Sequence, residues 1–119
     1  RRSSRLLHDV TSARGIRYYH FLQPNQYVPA SKPMDPGEKA VAWRPEHPYR
    51  RIVETAYPLL REAGRALKAN GIRFTDLSAA FADHPEPLYV DACCHVNQRG
   101  NVIVADLVFD AIRRDLGPD

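Results

Sequence analysis

The residues with the clearest chemical potential lie near the C-terminal end, in Asp91-Ala92-Cys93-Cys94-His95-Val96-Asn97. A carboxylate one turn before a histidine can hold the imidazole in one tautomer and stabilise its protonated form, which is the base half of a nucleophilic triad. Taken alone, a loop aspartate beside a loop histidine also fits an ordinary polar contact. Cys93 and Cys94 are adjacent, a spacing that makes a strained disulfide and lacks the C-x-x-C pattern of a zinc site. With His95 they form no set at metal-ligand spacing, so no metal is expected. Gln23 and Asn25 follow a predicted strand, where α/β sheets bind ligands; they are candidates for touching substrate or for forming a turn beside Pro24. His20 reads as a partly buried polar residue inside a strand with a backbone partner, and His47 and His84 read as loop or cap residues. The five serines are Ser3, Ser4, Ser12, Ser31 and Ser78. None lies in a glycine-containing strand-to-helix turn, and Ser78 reads as a cap.

The elements that must carry these residues repeat one small unit. A polar-apolar stretch ends at Gly15 and runs into Ile16 to Leu22, and a longer one ends at Asn70-Gly71 and runs into Ile72 to Leu77. Glycine suits the position just past a helix, and the β-branched and aromatic run after it suits a strand. Helix, glycine, strand, twice, predicts α/β architecture. The second helix is expected from about His47 to Ala69, with Ile52, Ala56, Leu59, Leu60, Ala63 and Leu67 on its packed face and a kink or a fresh start at Pro58. Gln23 to Glu46 holds five prolines and reads as a long irregular loop; parallel strands with right-handed crossovers place it on the same rim as His95. Ser78 to Phe81 reads as a helical turn, and Leu88-Tyr89-Val90 as a short strand-like piece. Asn97 is a good N-cap for a last helix in which Val102, Ala105, Phe109 and Ile112 recur on one face.

Composition bounds the class. The 119 residues are 44% hydrophobic and 26% charged, within the range of one globular domain. No run of about 18 apolar residues exists, and the opening RRSSRLLHDV lacks the apolar core of a signal peptide, so no membrane partner is expected. Residues 1–50 hold nine Lys/Arg against four Asp/Glu, and residues 51–119 hold eight against ten. The excess at Arg1, Arg2, Arg5, Arg14 and Arg17 comes without interleaved aromatics or paired zinc ligands. It reads as a solvated helix face, with no nucleic-acid partner expected. The chain begins at Arg1 and its only methionine is Met34, so it is expected to be a piece of something longer.

The string YVDACCHVNQRGNVIVADLVFDAI resembles the C-terminal block of SGNH (GDSL-type) hydrolases, where Asp and His share a loop and Asn-x-x-Gly-Asn opens the last helix. YYHFLQPNQYVPASKP and GIRFTDLSAAF resemble the strand, loop and strand that precede that block, so the likeness runs from about Gly15 to Ile112. It implies part of a three-layer α/β/α, flavodoxin-like fold with a parallel sheet, its N-terminal part absent, so that residues 1–119 form a single partial domain. It also implies acyl-ester hydrolysis by a Ser-His-Asp triad, with His95 as general base and Asp91 as its partner. Small esters, acetylated carbohydrates among them, are the implied substrates, and no cofactor is needed. Two features depart from the family. Asp91 stands four residues before His95 rather than three, so either the loop bulges or Asp91 does not orient the base. The Gly-Asp-Ser-like block with its nucleophile and oxyanion groups is missing, so a missing N-terminal half or a complementary chain would have to supply both. The reading from another class is a non-catalytic binding module that retains the α/β half and uses the proline-rich loop or the basic front to hold a partner.

Overall fold

A computed structural model describes residues 2–117; Arg1 of the basic front lies outside them. The elements in chain order are α1 (Arg2–Ser12), β1 (Tyr19–Leu22), α2 (Pro36–Ala42), α3 (Pro48–Ala69), β2 (Arg73–Asp76) and α4 (Gln98–Leu116). The chain is mixed α/β, and β1 and β2 pair in parallel with Tyr19 opposite Arg73 and Leu22 opposite Asp76. Leu77 N–H extends the ladder by donating to Leu22 C=O at 2.9 Å. Gly71, at φ +78°, ends α3 as the sequence predicts, with Ile72 N–H turning back to Leu67 C=O. Among the described residues no helix is long and apolar enough to cross a membrane.

Side chains alternate across a strand, so Phe74 faces one side of the pair and Arg73 the other. Phe74 lies against Gly64 of α3, where a Cβ would overlap the aromatic ring. On the opposite face Arg73 Nε donates to Asp115 of α4 at 2.6 Å, and Tyr19 Oη donates to the same carboxylate at 2.7 Å. The two long helices therefore take opposite faces of the sheet.

The expectations for the long loop and for both long helices are corrected here. The stretch Gln23–Glu46 is not wholly irregular. Asp35 caps α2, its Oδ1 accepting from Glu38 N–H at 2.8 Å, and Pro36 falls at the first turn, where its missing N–H is harmless. Of the expected face of α3 Leu67 is buried, but its companions are Val53, Tyr57 and Gly64, whereas Ile52 and Leu59 are each 62% exposed. The helix carries two apolar stripes, and the sheet takes the one whose glycine admits Phe74. It runs through the exposed Pro58 as one element. In α4 the core side is Gly100 and Ile103, while Val102 and Phe109 lie exposed.

The core has two parts. Leu22, Tyr27, Val28, Val53 and Tyr57 join the end of β1 to α3, and Ala42, Phe81, Leu88, Tyr89 and Ile103 join α2 to α4. Against the second lies a buried ion pair, Lys32 Nζ to Glu38 Oε2 at 2.7 Å, with both side chains fully buried. Glu38 Oε1 accepts from Leu88 N–H at 2.8 Å and Tyr89 N–H at 2.7 Å. The ammonium donates further to the carbonyls of Pro33 and His84, at 2.9 and 3.0 Å. Removing one member strands a buried charge, so Lys32→Met is expected to cost about 3–5 kcal/mol in denaturant unfolding. Glu54→Ala, which breaks the half-exposed pair with Arg50, should cost less than about 1 kcal/mol. Equal losses would contradict this account.

Candidate functional site

The segment Asp91–His95 is a tight loop closed at its base. Tyr89 and Val96 form an antiparallel bridge, Val90 N–H donates to His95 C=O at 3.0 Å, and Asn97 N–H donates to Leu88 C=O at 2.8 Å. The Asp91 carboxylate fills the loop. Oδ1 accepts from Cys93 N–H at 2.8 Å and His95 N–H at 3.3 Å, and Oδ2 accepts from His95 Nδ1 at 2.6 Å. The four-residue spacing is thus compatible with contact. Cys94 takes up the additional residue at φ +96°, a conformation that non-glycine residues adopt only under constraint. Beyond the loop, Asn97 caps α4: Oδ1 accepts from Gly100 N–H at 3.0 Å and Nδ2 donates to Pro87 C=O at 2.8 Å. Gly100 is required for that approach, since a Cβ there would come within 2.7 Å of Val96 Cβ.

The electrostatics follow from these contacts. The hydrogen bond from His95, followed by that from Cys93 N–H, holds the Asp91 carboxyl below the usual aspartate range. With Nδ1 as donor to a carboxylate, the neutral ring carries its lone pair on Nε2, and the His95 side chain is 69% exposed. The arrangement can accept a proton at Nε2 and stabilise the resulting imidazolium.

The long loop reaches the same rim. Gln23 Nε2 and Tyr49 Oη both donate to Cys94 Sγ at 3.8 Å. Gln26 Nε2 donates to Asp91 C=O at 3.0 Å, and Tyr27 Oη donates to Ala92 C=O at 3.1 Å. Burial pushes the Tyr49 hydroxyl up to about 12, so it remains a donor at neutral pH. Burial also raises the Cys94 thiol, so that at rest it is protonated. Of the two proposed binding residues, Gln23 is at the surface beside Cys94. Asn25 is fully buried, its Nδ2 donating to Tyr49 Oη at 3.1 Å and its Oδ1 accepting from Tyr27 N–H at 3.0 Å. Its place is in the turn. Sequence reasoning missed Gln26, Tyr27 and Tyr49. For Gln26 and Tyr27 the local signal was a polar-aromatic run directly after β1; Tyr49, in the first turn of α3, carried none.

The remaining candidates are engaged elsewhere. Ser78 is buried and held by Arg61 and Asp76, and Ser31 Oγ donates to Asn25 C=O at 2.9 Å. Among the described residues no serine is hydrogen-bonded to His95. His84 Nδ1 pairs with Glu86 at 3.1 Å, and His20 Nδ1 meets Tyr18 Oη at 3.0 Å. No group of three His, Cys, Asp or Glu side chains gathers to hold a metal among the described residues. Comparison of the chain with protein-family models, with curated proteins and with solved structures finds no match.

The pair makes a measurable prediction. A carboxyl depressed in the folded state contributes stability above the ordinary aspartate value of about 3.9 and loses it as the pH falls through the lower folded value. Asp91→Asn should therefore make the acid side of the melting-temperature profile less steep, with Glu86 and Asp115 keeping the rest of the slope, while the shape of the neutral-to-basic side stays unchanged. In nitrogen-15 NMR of the imidazole, the Nδ1–H tautomer should dominate in the native chain and give way to a mixture in Asp91→Ala. An unchanged tautomer ratio would remove Asp91 from its orienting role.

Proposed function

We propose that the chain is the C-terminal portion of an SGNH-type serine ester hydrolase with a flavodoxin-like three-layer sheet. His95 acts as general base and then general acid, and Asp91 orients it. The observation that carries this reading is the 2.6 Å contact between Asp91 Oδ2 and His95 Nδ1 on an otherwise exposed ring. A serine from upstream sequence or a complementary chain would attack the ester carbonyl while Nε2 takes its proton. The imidazolium would protonate the leaving alcohol, and water would then release the acyl group by the same relay. Gln23, at the surface beside the loop, is the residue of this chain best placed to meet a small ester such as an acetylated carbohydrate; Asn25 positions Tyr49 behind it. Further support for a partial domain comes from the helices on opposite sheet faces and from apolar side chains such as Ile52, Leu59 and Phe109, which this chain leaves exposed. No cofactor takes part in these steps.

The decisive observation is the coding sequence ahead of Arg1. An in-frame Gly-Asp-Ser-like block is expected, and a start codon immediately before Arg1 would favour the non-catalytic binding module. The 119 residues by themselves should show no saturable hydrolysis of p-nitrophenyl acetate, because the nucleophile is lacking. Saturable turnover abolished by a serine-directed phosphonate would refute that. Once the nucleophile-bearing part is supplied, Asp91→Asn should lower the rate by about four orders of magnitude, on the precedent of tautomer-locking aspartates. Asp83→Asn should leave it nearly unchanged.

A further inference from the structure

We propose that Cys93 and Cys94 are a redox-modification site at which a low-molecular-weight disulfide reversibly closes a vicinal disulfide and thereby uncouples Asp91 from His95. The two thiols are free, and they stand between Asp91 and His95 in the chain, on the loop that closes the carboxylate–imidazole contact. Their present environments differ. Cys93 is exposed, whereas Cys94 is half-buried with its sulfur facing Gln23 Nε2 and Tyr49 Oη. The regulatory consequence rests on the reading of His95 as a base; the thiol chemistry does not.

The step is thiol–disulfide exchange. The Cys93 thiolate attacks one sulfur of glutathione disulfide, a glutathione thiolate leaves and takes up a proton, and a mixed disulfide forms at Cys93. The Cys94 thiol loses its proton to solvent and attacks the Cys93 sulfur, expelling a second glutathione. In balance, two cysteines are oxidised by two electrons, and one glutathione disulfide is reduced to two glutathiones. Exposure lets the first attack occur at Cys93, and adjacency gives the second attack a resolving thiol one residue away.

Neighbouring Cα atoms are about 3.8 Å apart, below the 4.4–6.8 Å of ordinary disulfides, so the product is strained and readily reduced. Strain of that kind makes a switch rather than a staple. Closing the ring must draw Cys94 Sγ toward Cys93, away from Gln23 and Tyr49, and must turn the peptide units on either side. Those units include the Cys93 and His95 N–H groups that Asp91 Oδ1 accepts. The Cys94 backbone, already at φ +96°, is held by its side-chain contacts and by the closed base of the loop. Losing the first of these leaves Asp91 with fewer partners and His95 without its fixed tautomer.

The test equilibrates the 119-residue chain with excess glutathione disulfide, then reads intact mass, iodoacetamide labelling and imidazole nitrogen-15 shifts. Expected are loss of two hydrogens with no retained glutathione, protection of both thiols, loss of the Nδ1–H tautomer preference, and an Asp91 titration moved up toward the ordinary aspartate range. Dithiothreitol should reverse all four. Cys94→Ser should trap a stable glutathione adduct at Cys93, which keeps the chemistry observable in a chain that cannot close the ring. Two thiols that still label after equilibration would overturn the proposal, as would a disulfide between two copies of the chain. So would an oxidised chain whose Asp91 and His95 signals match the reduced one. Since no readout uses ester turnover, a negative result here leaves the hydrolase reading standing, and a failed hydrolase assay leaves the thiol chemistry standing.

Discussion

The fully buried Lys32–Glu38 pair is the constraint on which the placement of the site depends. Two opposite charges taken out of water return little net stability unless every remaining donor and acceptor is also met. Here they are met by backbone: Glu38 receives the N–H groups of Leu88 and Tyr89, and Lys32 caps the carbonyls of Pro33 and His84. The pair thereby sews the proline-rich loop to the segment that enters the Asp91–His95 turn. Because an ion pair is directional where apolar contact is not, it fixes the register of that join. The Asp91 carboxylate emerges two residues past Tyr89, at a height set by this buried clamp.

From that anchor the site is built in two tiers with different physical origins. The inner tier is local: one carboxylate accepts three hydrogen bonds from residues no more than four positions ahead, and the Val90–His95 backbone bond closes the loop. The outer tier is remote, with Gln26 and Tyr27 gripping the carbonyls of Asp91 and Ala92 from across the rim. The inner contacts decide which imidazole nitrogen carries the proton. The outer contacts decide where the imidazole stands relative to the ends of the strands.

This division explains what the sequence could reveal. The Asn97 cap and the turn at Gly71 are local and rest on side-chain chemistry or backbone φ, so residue type and spacing suffice to place them, whereas the Asp91–His95 contact, though also local, needs the positive φ of Cys94 that the four-residue spacing left open. The α3 and α4 faces were misjudged because each helix carries more than one apolar stripe, and periodicity cannot say which stripe a sheet takes. The deciding feature for α3 is Gly64 opposite Phe74, a steric fit between residues on different elements. Helix α2 escaped notice because prolines before and after it masked the Asp35-Pro36 start. The Lys32–Glu38 pair is only six residues apart in sequence, but its burial depends on Leu88, Tyr89 and His84. Spacing alone gives no hint of that.

The hydrogen bond from Gln26 to Asp91 spans 65 positions of chain, while Asp91 and His95 are four apart. Loop closure costs entropy that grows with the length of chain enclosed, and long-range contacts slow folding. The turn can therefore sample its carboxylate–imidazole contact within microseconds while the chain is still open, on the timescale of hairpin formation. Its seating on the rim must wait until the parallel pair has formed and the prolines have folded back. The contact between Asp91 and His95 is thus local and early, and its seating on the rim is remote and late. Substitutions at Gln26 or Tyr27 of the proline-rich loop would be felt at His95 through where the turn is seated, and would leave its local contact with Asp91 in place.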